Sequence, residues 1–173
     1  MTDWDLSPRR GTASEVALVE LMTATDANII GTVHGGTVMK LVDTAAGLSA
    51  IRHCGGVAVT ASIDQMSFHA PVRVGNLLHV RATVNDVGRT SMEVGVRVEA
   101  ENIVTGRRVH TASAYVVMVA IDADGEPRPV PPLVVESDLQ RRRQNEAAIR
   151  RDSRRHQERS IETSRAARDG DPG

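Results

Sequence analysis

Two hydrophobic periods divide the chain, and they change over at Gly55-Gly56. From Thr37 to Arg52, Val38, Met39, Leu41, Val42, Ala45, Ala46, Leu48, Ala50 and Ile51 go most of the way round a helix without a proline. Only the line Thr37, Lys40, Thr44 suits water. Roughly 17 helical residues span about 25 Å, and a helix apolar on nearly every side is expected to be wrapped by other elements. It should end at Cys54-Gly55-Gly56, where glycine can take a left-handed cap conformation. Beyond that point the period falls to two. Val57, Val59, Ala61 and Ile63 alternate with Ala58, Thr60, Ser62 and Asp64, and the same alternation recurs over Leu78 to Asn85 and over Met92 to Glu101, predicting three strands. Val109 to Ile121 is apolar on both faces and predicts a fourth, central strand. Upstream, VALVELM suits a strand entering the core. Turns at Gly88-Arg89 and Thr105-Gly106 predict antiparallel neighbours. One strand, one long helix and four strands give an α+β layer arrangement with the sheet curled round the helix.

The flanks lack either period. Residues 1–13 read as a loose arm, 14–122 as the folded domain and 123–136 as a proline-rich exit segment. From Ser137 the composition shifts to Arg, Gln, Glu and Ala, so 137–173 predicts a polar tail, a solvated helix or a chain disordered toward Gly173.

At 173 residues the chain has room for one domain with a proper core. One Trp, one Tyr and one Phe mean that aliphatic residues build it. A net charge of −1 argues against a chain that is basic as a whole, although ten arginines and no lysine fall between Arg141 and Arg168. Interspersed acids and missing aromatics make that stretch a poor nucleic-acid binder. The lone Cys54 cannot form an intrachain disulfide, and its place at the helix end suits a packed or surface thiol. No metal-ligand spacing of histidines occurs. With neither a membrane-length apolar run nor a secretory h-region, the expected location is the cytoplasm.

The chemistry concentrates between Asp26 and His53. Asp43 is the lone carboxylate of the apolar helix, and burying it unpaired would cost several kcal/mol or raise its pKa. A bland reading pairs it with Lys40 or a distant arginine. Just ahead, Gly35 and Gly36 present unscreened amides where a helix N-terminus leaves N–H groups without partners, a site suited to an oxyanion. Asn28 adds an amide able to orient a carbonyl or a water. Donors, a carboxylate base and an amide are the parts needed to hydrolyse an acyl group with water. His34 is either a further acid or base or a cap on the helix start. Asp64, on the polar face of a strand, suits a salt bridge, and His53 and His69 read as structural or exposed.

TDANIIGTVHGGTVMKLVDTAAG resembles the signature of the hot-dog-fold acyl-CoA thioesterases, in particular their cytosolic acyl-CoA hydrolase branch. TASIDQMSFHAPVRVGNLL and GRTSMEVGVRVEAEN agree, and the likeness runs from Glu15 to Asp122. It implies the hot-dog fold and an acyl-CoA substrate with no separate cofactor. It also implies a homodimer with shared active sites, often assembled into a trimer of dimers. Asn28 of one subunit would then face Asp43 of the other, with Asp43 as general base or, less simply, as nucleophile. Thr60, Ala61 and Ser62, together with Gly88, Arg89, Thr90 and Ser91, would contact CoA. Arg89 brings a fork of donors suited to phosphate, although GRTS alone is also an ordinary hairpin turn. The run Arg141-Arg142-Arg143 could reach the 3′-phosphate or be a solvated face. A non-catalytic acyl-CoA sensor is the competing reading. A hydratase of the same fold would need a short Asp and His motif that this chain does not show.

Overall fold

The helix forms over Gly35–Cys54 as α1, 20 residues long. At its start His34 is the N-cap, its ring nitrogen accepting from the Gly36 amide. At its end Gly55 takes a left-handed φ of 69°, as its position after the apolar run implied. Two guanidinium groups close the C-terminal end: Arg9 donates to the carbonyl of Arg52 at 3.1 Å and Arg128 to that of Cys54 at 3.0 Å. Cations placed there favour the negative pole of the helix. This computed structural model describes residues 4–169.

Around α1 lies a five-stranded antiparallel sheet made of β2 (Val16–Leu21), β3 (Ala58–Phe68), β4 (Asn76–Val87), β5 (Ser91–Asn102) and β6 (Arg108–Ala120), in the order β2-β4-β5-β6-β3. The strands fall where the period of two placed them. The expectation of an interior β6 holds: it is paired on both sides, by β5 and by β3, with β5 in the middle of the sheet. Val38, Val42, Ala45, Ala46 and Ala50 of α1 are buried against Val80, Val94, Val98, Ala114 and Val116 in one core. Alanines on this side let the strands come close to the helix backbone.

Three other expectations change. The helix is not wrapped all round: Met39, Leu48 and Ile51 are each about two-fifths exposed, and Asp43 lies on that open side. The arm and exit segment are tied down, because β1 (Arg9–Arg10) pairs in parallel with β7 (Leu133–Val134). Arg128 is buried between Trp4, whose ring lies 3.8 Å from its guanidinium, and the end of α1. Finally, Asp138–Asp169 is one helix, α2, of 32 residues. It lies across the face of the sheet opposite α1, where Ala147 is buried and Arg150, Arg151 and Arg154 pair with Glu93, Asp86 and Asp64. Apolar periodicity could not show this helix because carboxylates of the sheet, rather than a greasy groove, receive it. The expected disorder near Gly173 concerns residues 170–173, outside the described residues.

Candidate active site

The loop before α1 is built by its own polar side chains. Asn28 accepts from the amides of Ile30 at 3.0 Å and Thr32 at 3.2 Å and donates to the Thr32 hydroxyl at 2.9 Å. The second hydrogen of its amide has no acceptor among the described residues. Gly31, at φ 79°, supplies the left-handed turn that brings the chain back. Asp26 anchors the loop start: the Thr23 backbone amide and then its hydroxyl, each at 2.8 Å, hold the Asp26 carboxyl below the usual carboxylate range. The Asp26 carbonyl in turn accepts from the His34 amide at 2.7 Å, which fixes the loop against the helix start.

The three residues of the turn then divide their tasks. His34 Nδ1 accepts from the Gly36 amide at 2.9 Å, so the ring serves as a cap, and this Gly36 donor is occupied. The Gly35 amide, by contrast, has no acceptor among the described residues. It stands at the positive pole of α1 beside a cavity of about 360 Å³ lined by Val33, Val38, Phe68, Pro71 and Val72. Phe68, the sole phenylalanine, comes within 3.6 Å of the space a side chain at Gly35 would enter.

Asp43 makes no ion pair among the described residues, with Lys40 or with any arginine. Its partner is Thr60 of β3, whose hydroxyl donates to Oδ1 at 2.5 Å and also lies 3.5 Å from the Met118 sulfur. Oδ2 has no partner among the described residues and lies on the open, exposed side of the helix. In the sequence Thr60 reads as a CoA contact and not as a partner of Asp43. A hydroxyl on the inward side of a strand following an acid-bearing helix is the signal that could have found it.

No hydrogen bond joins Asn28 to Asp43 within the chain. Gly35 and Asp43 are eight residues apart on one helix, a rise of about 12 Å. Gly88, Arg89, Thr90 and Ser91 form the turn between β4 and β5, where the Arg89 and Thr90 carbonyls accept from Val130 and Ala120. The Arg89 side chain is exposed. Ala61 and Ser62 occupy an irregular stretch of β3 just after Thr60. Among the remaining candidates, Cys54 is buried, its thiol 3.2 Å from the Gly56 carbonyl. His53 is buried with Nε2 at 3.0 Å from the Pro131 carbonyl, His69 stacks on His110 at 4.8 Å, and Asp64 is in a salt bridge. No cluster of metal-ligating side chains occurs among the described residues, and no helix there is long and apolar enough to cross a membrane.

The thioesterase superfamily matches residues 30–106. A Bacillus subtilis (strain 168) protein described as the uncharacterized acyl-CoA thioester hydrolase YkhA is 35% identical over 146 residues, covering 84% of this chain and 85% of that protein.

 The mouse (Mus musculus) cytosolic acyl coenzyme A thioester hydrolase is 37% identical over 142 residues, 80% of this chain. This chain spans only 37% of that relative's length. Among solved structures, an apo-hexameric acyl-CoA thioesterase superposes with a TM-score of 0.85 at 35% identity, covering 87% of this chain and 97% of that one. The Staphylococcus aureus acyl-CoA hydrolase mutant Asn28Ala, in complex with coenzyme A, gives a TM-score of 0.83 at 29% identity, covering 95% and 97%. The chain therefore belongs to the thioesterase superfamily, with the hot-dog fold. Several of the relatives it matches within that superfamily are described as acyl-CoA thioester hydrolases.

Proposed function

We propose that this chain hydrolyses acyl-CoA thioesters, with each active site shared between two copies. The observation that carries the reading is the Thr60-oriented, cation-free carboxylate of Asp43 on the open side of α1. In the proposed reaction Asp43 takes a proton from water as the water oxygen bonds to the thioester carbonyl carbon. The Gly35 amide, at the positive pole of α1, stabilises the oxyanion that forms. Collapse of that intermediate breaks the carbon–sulfur bond and releases CoA as a thiolate, a leaving group good enough to need no strong general acid.

The separation of about 12 Å between Gly35 and Asp43 along one helix is too great for both to act on one carbonyl. A second copy resolves this by bringing its own Asp43 to the Gly35 of the first. The open side of α1 and the edge of β3, unpaired among the described residues, supply a surface for such a dimer, carrying Met39, Leu48, Ile51, Val57 and Val59. The Asn28 amide hydrogen that has no acceptor among the described residues could meet a carbonyl or water across that interface. The hexameric neighbour supports a further assembly of three such dimers. The apolar cavity beside Gly35 suits the acyl group, and Arg89 suits a CoA phosphate. Characterised variants of the Staphylococcus aureus hydrolase include Asn28Ala, Asp43Ala and Thr60Ala, and this chain carries the same residue types at the same numbers.

The test is thiol release from acyl-CoAs of graded chain length, with wild type and Asp43→Ala side by side. Removing the general base should lower turnover by about 10²- to 10⁴-fold while CoA is still bound. Binding without release by the wild type would replace the hydrolase with a sensor.

A further inference from the structure

The middle of β3 changes face. Thr60 stands opposite Met118, Ser62 opposite Val117, Ile63 opposite Val116 and Gln65 opposite Tyr115, so Ala61 and Asp64 are extra residues at two bulges. In a regular strand Thr60 and Ser62 would share a face. The bulge at Ala61 separates them, leaving Thr60 on the α1 side against Asp43 and turning Ser62 outward. The inward aim of the Thr60 hydroxyl therefore depends on the bulged conformation being held.

Within the chain, β3 has one neighbour, β6, and its ladder is interrupted at both bulges. What meets the bulged stretch from outside is α2. Arg154 pairs with Oδ2 of Asp64, whose Oδ1 accepts from the Ser62 hydroxyl at 3.2 Å. The two charged side chains are only 24% and 11% exposed. Upstream on the same helix Arg150 makes a two-pronged contact with Glu93 at 2.7 and 3.1 Å and lies 3.6 Å over the Tyr115 ring, and Arg151 pairs with Asp86. Anchored to β4, β5 and β6 in this way, α2 is a brace that reaches the edge strand at Arg154.

We propose that Arg154 is a positioning residue: by gripping Asp64 it locks the bulges of β3 in the conformation that turns Thr60 onto Asp43. The kinetic part of its test rests on the hydrolase reading, and the exchange part does not. The measurements are kcat and KM for an acyl-CoA, with amide hydrogen exchange across β3, in Arg154→Gln, Arg154→Lys and the swap Arg154→Asp with Asp64→Arg. Arg154→Gln is expected to lower kcat about tenfold with KM within about twofold, and to speed exchange around Ala61 to Asp64. Arg154→Lys and the swap should each restore part of both, since either keeps an ion pair at the bulge. Unchanged kcat and exchange in Arg154→Gln would overturn the proposal, as would exchange rising evenly through the sheet. Should the wild type release no thiol, the hydrolase reading falls, and localised exchange at the bulges alone decides whether Arg154 holds them.

Discussion

His34 shows how one ring can be assigned by a single bond. With Nδ1 accepting from the Gly36 amide, the ring does what an asparagine side chain does at an N-cap. His34→Asn is therefore expected to keep most of the activity and stability, whereas His34→Ala should cost about 1 kcal/mol of stability. Urea denaturation and thiol release on both variants check this, and loss of turnover in His34→Asn would return His34 to proton transfer. Asp43 was legible in the sequence because a lone acid on an apolar helix is conspicuous. Its Thr60 partner was not, since the contact depends on which face of β3 each residue takes, and simple alternation fails at Ala61. The paired glycines were legible as donors, but which of the two amides remains free is decided by the His34 side chain.

Among the elements, α1 is the one whose ends are most heavily reinforced. Arg128 donates to three carbonyls, those of Cys54, Ile121 and Pro129, from a buried position. Arg128→Ala should destabilise the fold by about 2–3 kcal/mol, read as a lower urea midpoint. Near the same end, burial first of all pushes the His53 imidazole below its ordinary value, against the opposing pull of the Pro131 carbonyl. A depressed histidine is neutral in the native state while the unfolded chain binds a proton below about pH 6.5. Stability should then fall as pH drops through that value toward the native pKa. Thermal melts at pH 7.5 and 5.5 should show the drop, and His53→Gln should reduce it. The sheet strands were legible from a period of two, and α1 from a glycine stop. The helix α2 was legible only as one alternative to a disordered tail, and its seat on the sheet was not, because its contacts there are guanidinium to carboxylate and leave no apolar period.

For the molecule as a whole, the two faces of the sheet are asymmetric. One cradles α1 and leaves Met39, Leu48 and Ile51 open, while the other carries charged pairs and the arginine-rich helix. Leu48 is 41% exposed in the single chain, so Leu48→Glu should fold normally. In a dimer that buries α1 it should shift the protein to monomer and, by separating the parts of each shared site, lower turnover by about 10²-fold or more. Light scattering with thiol release reads both effects, and an intact dimer would move the interface elsewhere. The layer arrangement was legible from the order of elements, but the open side of α1 was not, since exposed apolar residues look the same as core in the sequence pattern. The single tryptophan gives this architecture an optical gauge. Trp4 rests on Arg128 at the C-terminal end of α1, about 30 Å along the helix from Gly35. Its emission should report release of the N-terminal strap without a label and without touching the chemistry at the other end, so loosening of the scaffold and damage to the site can be followed in the same cuvette.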